Sequence, residues 1–297
     1  MKSLSFTDTP FLLPATESGR REMHEYILAA APDTEYFTVG RSVAGRELTC
    51  YKIGYGGGRV TFFGTHHALE SITANLLYTI VYVLSCPDFC GFSFGIDPDL
   101  FLSLYTLYVV PCVNPDGVEL RFRGYSTSPI ASRFSHLRAD FPLWQANERG
   151  VDLNHNYDCG FLEYKRIEAE GGITPGRTLY SGEYPESEPE SRAVANLVRV
   201  LSPRAVVSLH TQGEEIFYSP AAAHRTAVRL AALTGYTLSQ PTGTAAYGGL
   251  CDYTGGVLGI PSFTLELGRG TNPLPESALP YIFPRVAHAL LRLPTLI

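Results

Sequence analysis

Short apolar runs that stop at Gly, Asn or a polar cluster alternate along this chain with segments of helical periodicity, and that alternation constrains the fold more than any other feature. RVTFFGTHH, from Arg59, reads as a buried strand, and SITANLLYTIVYVLS, from Ser71, as a helix. LSLYTLYVVPCVN, from Leu102, is the next strand. SEPESRAVANLVRVLS, from Ser187, opens with the Ser, Glu and Pro of a helix start, and AVVSLHTQG, from Ala205, follows as a strand. AHRTAVRLAALTG, from Ala223, is a helix ending at Gly235; SFTLELGRG, from Ser262, is a strand; LPYIFPRVAHALLRL, from Leu279, is a closing helix. Strands that are apolar along their whole length have both faces covered. The predicted class is therefore α/β, with a mixed, mostly parallel central sheet flanked by helices on both faces. Chemistry in such sheets sits beyond the carboxyl ends of the strands. No repeat or long linker divides the chain, so residues 1–297 read as a single domain, with 1–15 as an extended N-terminal segment.

Charge and cysteine usage exclude several classes of partner. With 23 Lys and Arg against 29 Asp and Glu, the net charge of −6 leaves nothing to track a phosphate backbone, so no nucleic-acid partner is expected. The longest apolar stretch, LLYTIVYVLSC from Leu76, is too short to span a bilayer, so no membrane partner is expected either. Cys50, Cys86, Cys90, Cys112, Cys159 and Cys251 are too sparse for a disulfide scaffold and contain no Cys-x-x-Cys pair. They read as reduced thiols. Because the first residues lack a signal-peptide core, the expected compartment is cytoplasmic.

Several strands end in residues that are costly to bury. His67 and Glu70 stand three apart in THHALE, His210 ends AVVSLH, and Glu266 lies inside FTLELG. A carboxylate in an apolar strand costs several kcal/mol unless it is paired, solvated or near a metal. Two imidazoles and one carboxylate, with a fourth position open to water, form the ligand set of a catalytic zinc site. His67, Glu70 and His210 fit that set, and Glu266 fits the base that takes a proton from the attacking water. Taken singly, each histidine reads equally well as a hydrogen-bonded strand end, and Glu266 as an ion pair with Arg269. The conjunction carries more weight than any member.

With those residues in place, the chain resembles the zinc carboxypeptidase A family from about Gly40 to Pro275. The matching segments stand in family order: GTHHALESIT, VVPCVNPDGVEL, GVDLNHNYDCGF, YPESEPESRAV, SLHTQGEEIFY and FTLELGRGTNPLP. HTQGEEIFY and ELGRGTNPLP are more similar to the bacterial γ-D-glutamyl-meso-diaminopimelate peptidases than to the digestive carboxypeptidases. The resemblance implies one zinc ion, a peptide or muropeptide substrate, and hydrolysis of γ-D-glutamyl-diaminopimelate bonds. A general metallocarboxypeptidase and a zinc deacylase of N-acyl amino acids are the alternatives.

Departures from the family pattern fall on substrate recognition. Where the family clamps a terminal carboxylate with Asn and Arg, this chain has Asn154 and His155, and an imidazole cannot form the bidentate fork of a guanidinium. The carbonyl-polarising arginine has its counterpart at Gln145, with Arg121, Arg123 and Arg149 as candidate substitutes. The mobile tyrosine corresponds to Thr244 or, with a shifted loop, to Tyr247. Asp252 falls at the pocket floor, where an acid would attract an amine. His66 alternates away from the ligands and reads as a packing or supporting residue.

Overall fold

A computed structural model describes residues 5–86, 94–124 and 131–297. Cys90 lies outside the described residues. Among the described residues eight strands form one sheet in the order β1-β2-β4-β3-β5-β8-β6-β7, namely β1 Glu35–Arg41, β2 Glu47–Ile53, β3 Gly58–Phe63, β4 Tyr105–Val110, β5 Ala205–His210, β6 Glu215–Ser219, β7 Thr237–Leu238 and β8 Ser262–Glu266. The central β4-β3-β5-β8 block is parallel, and β2 and β6 join its two sides antiparallel. The sheet is thus mixed and mostly parallel, with helices on both faces.

Strand periodicity explains why the apolar runs are continuous. Phe62, Val109 and Val207 point into one core, which also holds Met23 and Ile27 of α1 (Glu17–Ala30), Leu76 and Ile80 of α2 (Ile72–Ser85), and Phe283 and Val286 of α9 (Leu279–Arg292). Their neighbours Phe63, Val110 and Val206 point the other way, against Val194 and Val198 of α6 (Pro189–Leu201). Twelve of the fourteen residues of α2 are buried, as a helix apolar all round requires. Between α2 and α6 the chain forms α3 (Pro98–Leu104), α4 (Pro115–Arg123) and α5 (Phe161–Gly171). After them, α7 (His224–Thr234) stops at Gly235, which adopts the left-handed C-terminal position. The short turn α8 spans Leu250–Asp252.

Strands β4, β5 and β8 end at Val110, His210 and Glu266, short of the expected runs, and three further differences from the sequence expectation have a local cause. Leu102–Leu104 are helical, because Asp97 caps α3 by accepting from the Leu100 N–H and Pro98 occupies its first turn; the strand begins only at Tyr105. The strand from Arg59 stops at Phe63 rather than running to His67. At that stop a Cβ on Gly64 would meet the Pro111 carbonyl oxygen at 2.6 Å, and Thr65 takes a left-handed φ of 52° held by two hydrogen bonds to Thr73 Oγ1. Residues 5–15, expected to be extended, form two 3-10 turns, with Phe11 buried against Tyr26 and Tyr82. Among the described residues no helix is long and apolar enough to cross a membrane.

Candidate metal centre and substrate cavity

The sheet order reverses at β3, whose neighbours β4 and β5 lie on opposite sides, and candidate residues from several parts of the chain converge beyond the carboxyl ends there. His67 follows β3, Glu70 sits in the 3-10 turn Ala68–Glu70, and His210 ends β5. Glu266 ends β8 and is the register partner of His210. One atom from each of His67, Glu70 and His210 falls within 4.8 Å of the others. His67 Nδ1 lies 3.1 Å from Glu70 Oε1, His210 Nδ1 lies 3.0 Å from Glu70 Oε2, and the two Nδ1 atoms are 3.2 Å apart.

Proton accounting tests whether these residues fit a cation. His67 Nε2 is 3.1 Å from Asp152 Oδ1, and a carboxylate can only accept, so Nε2 carries a proton and Nδ1 is the nitrogen turned toward the cluster, where a cation would take its lone pair. Glu70 Oε2 is buried with no satisfied hydrogen bond. Two imidazole nitrogens converging on an unsatisfied carboxylate form a donor set that a divalent cation completes, and His2Glu with an open position is a catalytic zinc set.

The electrostatics follow from burial and proximity. Burial opposes ionisation of Asp152, yet the His67 imidazole and the Leu179 N–H hold its carboxyl well below the usual range. Asp152 also accepts from the Thr178 hydroxyl at 3.0 Å and the Leu179 N–H at 3.1 Å. For Glu266, burial first and the Glu70 carboxylate second push the carboxyl well above its usual range. A cation among the ligands acts in the opposite direction. Asp252 is pushed up to about 6 by burial, with a backbone hydrogen bond from Gly249 opposing the shift.

His67, His210 and Glu266 open on a cavity of about 440 Å³ that also takes in Gln145, Asn154, His155 and Asp252. No Lys or Arg lines it among the described residues. The candidate substitutes for the missing arginine are engaged elsewhere: Arg149 lies 3.6 Å from Glu188, Arg123 pairs with Glu119 at 2.9 Å, and Arg121 donates to Ser71 and to the Pro142 carbonyl. Arg269 pairs with Glu214, so it does not neutralise Glu266. Tyr247 is not part of the cavity wall, and Thr244 is. The loop turns the Tyr247 ring toward Tyr164 and Gly160 and leaves its carbonyl as the acceptor for His155 Nδ1 at 2.8 Å. The Gln145 carboxamide lies against the Thr178 hydroxyl. His66 is fully buried, bonded to the Tyr157 hydroxyl at 2.9 Å and stacked on His210.

Two residues escaped the sequence analysis. Asp152, which orients His67, lies in a segment without periodicity; its signal was a carboxylate between Val151 and Leu153. Tyr218 lines the cavity with its hydroxyl 2.7 Å from His224 Nδ1, and as one of 18 tyrosines it gave no signal. The Asn-Pro-Asp-Gly segment does more than turn. Asn114 caps α4 by accepting from the Gly117 N–H, while its Nδ2 donates to the carbonyls of His66, Gln145 and Ala146, tying both sides of the site together.

Comparison with known proteins agrees with this geometry. A family model described as zinc carboxypeptidase matches residues 21–286. A γ-D-glutamyl-L-diamino acid endopeptidase of Lysinibacillus sphaericus is 31% identical over 265 residues, which is 86% of this chain and 65% of the relative; this chain thus spans just under two thirds of that protein's length. Murein peptide amidase A of Escherichia coli (strain K12) is 32% identical over 111 residues, 36% of this chain and 37% of the relative. Among solved structures, thrombin-activatable fibrinolysis inhibitor superposes with a TM-score of 0.72 at 22% identity, covering 98% of this chain and 82% of that one.

Proposed function

From the premise that this chain belongs to the zinc carboxypeptidase family, we propose that it is a zinc-dependent peptidase that hydrolyses γ-D-glutamyl-diaminopimelate bonds in cell-wall stem peptides. The observation that carries the substrate assignment is a cavity with a carboxyl, Asp252, and no guanidinium or ammonium among its described lining residues. Such a cavity favours a substrate bearing an amine, as a diamino acid does, over one bound through a fixed cation. The relatives support the same class, since one is a γ-D-glutamyl-L-diamino acid endopeptidase and another a murein peptide amidase. The free thiols of Cys50, Cys112, Cys159 and Cys251 suit the cytoplasm as its compartment.

In this reading His67, Glu70 and His210 would hold one zinc ion, with Asp152 fixing the His67 tautomer. When bound, zinc would lower the pKa of a water to about 7 and polarise the scissile carbonyl. Glu266 accepts the proton of the attacking water and passes it to the departing amine as the C–N bond breaks. Gln145 offers the carbonyl oxygen a neutral carboxamide where an arginine stands in the family pattern. Asn154 and His155 border the departing residue, and Asp252 receives its amino group.

The test is incubation of L-Ala-γ-D-Glu-meso-diaminopimelate, an ordinary C-terminal hydrophobic peptide and an N-acyl amino acid, each with and without a zinc chelator, read by mass spectrometry. Chelator-sensitive release of diaminopimelate, restored by zinc, is the expected result. Hydrolysis of the ordinary peptide alone establishes a general carboxypeptidase instead, and hydrolysis of the N-acyl amino acid alone a deacylase.

A further inference from the structure

We infer that Asn154 and His155 together read an amide, not a carboxylate, on the residue that follows the scissile bond. The inference rests on the reading of the cavity as a peptidase site, and it comes from two hydrogen bonds whose direction the backbone fixes.

His155 Nδ1 lies 2.8 Å from the Tyr247 carbonyl oxygen, which can only accept, so the imidazole proton is on Nδ1. Its ring is stacked on Tyr164, with centroids 4.4 Å apart and planes 11° apart, and the Tyr164 hydroxyl is itself tied to the Leu179 carbonyl at 2.7 Å. The ring is therefore held in one orientation. Nε2, with no protein partner in the described hydrogen-bond network, is left to the cavity as an acceptor in the neutral ring. Asn154 Oδ1 accepts from the Leu250 N–H at 3.1 Å; an N–H can only donate, so the oxygen is committed and Nδ2 remains as a donor. Consecutive residues on the cavity wall thus present one donor and one acceptor.

An amide matches that pair, because its carbonyl takes the Asn154 donor and its N–H serves the His155 acceptor. A carboxylate has acceptors only, so it meets the His155 lone pair with a lone pair of its own. The remaining ionisable groups of the cavity offer a carboxylate no fixed cation: Asp152, Asp252 and Glu266 are acids, Tyr218 and Cys251 carry a hydroxyl and a thiol, and His67 and His210 face the metal position. The departing residue is thereby read through a continuing peptide bond or a carboxamide, which is endopeptidase or amidated-substrate chemistry.

The test uses the full chain loaded with zinc and two forms of L-Ala-γ-D-Glu-meso-diaminopimelate that differ only in whether the α-carboxyl beside the scissile bond is free or amidated. At pH 8 the amidated form is expected to show a kcat/KM about tenfold higher or more, the effect of one mismatched polar contact. His155→Arg, which supplies a fixed donor fork, should shift the ratio toward the free carboxylate by at least about tenfold. Equal rates, or a wild-type preference for the free carboxylate, overturn the inference. A binding arm separates its failure from that of the substrate assignment. Calorimetric titration of the zinc-loaded Glu266→Gln protein with N-acetyl-diaminopimelate and its α-amide ranks the two ligands whether or not either peptide is cut. Tighter binding of the amide upholds the inference, and tighter binding of the acid sinks it.

Discussion

Glu190→Gln is the substitution whose effect follows most directly from the packing beneath the substrate loop. Asp116, Glu148, Glu188 and Glu190 are all buried where α4, α6 and the 147–151 turn meet, and Glu190 is fully inaccessible. The cations bonded there are Arg46, shared between Asp116 and the exposed Glu17, and Arg149, 3.6 Å from Glu188. Burial, and then the Asp116 carboxylate, push Glu190 up to about 8, against the hydrogen bond it accepts from the Val43 N–H. Its folded-state affinity for a proton thus exceeds the unfolded one, where a glutamate titrates near 4.3. Stability from this group is complete below that unfolded value and is lost as pH rises, until the folded form ionises near 8. The slope is about 1.4 kcal/mol per pH unit while only the folded state holds the proton. Local relaxation and water entry limit the total to about 2–3 kcal/mol. The glutamine variant keeps the shape without the ionisation, so urea midpoints of variant and wild type, measured with zinc present from pH 5.5 to 9, should diverge, the variant gaining about 2 kcal/mol relative to wild type by pH 9. Metal binding is common to both proteins and cancels in the difference. Parallel curves across that range would refute the assignment of a buried proton to this carboxyl.

Three further outcomes are expected. Asp152→Asn should weaken zinc binding about 10- to 100-fold in competition with a chromophoric chelator, because His67 loses the acceptor that fixes its tautomer. Glu266→Gln should retain stoichiometric zinc by atomic absorption while turnover of the diaminopimelate substrate falls about 10²- to 10⁴-fold; near-normal turnover would exclude Glu266 as the base. Phe62→Ala, a fully buried ring in β3, should cost about 3–5 kcal/mol in chemical denaturation, and a loss below 1 kcal/mol would contradict the packing described.

The local chain determined a good deal of this protein. Continuous apolar runs required a sheet covered on both faces, because period-two alternation sends Phe62 and Phe63 into different cores and neither face can be polar. The metal-set candidates were legible for a related reason: His67, Glu70, His210 and Glu266 are costly at the ends of apolar strands, and such residues persist only where something satisfies them. Helix ends written in local chemistry, such as Gly235 after α7, were legible too. Where two local signals competed at Leu102–Leu104, the Asp97-Pro98 start of α3 prevailed over the strand-like run.

Tertiary structure decided what pairs with what. That His210 and Glu266 stand side by side follows from β5 and β8 being register partners, a pairing between residues 56 apart in sequence. Asp152 became the partner of His67 through the path of its loop, which the N–H groups of Gln145 and Ala146 bind to the Arg177 carbonyl and the N–H of Asp152 binds to Tyr180. The same dependence on loop path placed Thr244 rather than Tyr247 on the cavity wall and drew Arg121, Arg123 and Arg149 to other partners. Residue type sets what a side chain can donate, accept or ligate, and can be read one position at a time. Which partner it meets depends on contacts between distant segments, and only the folded backbone supplies those.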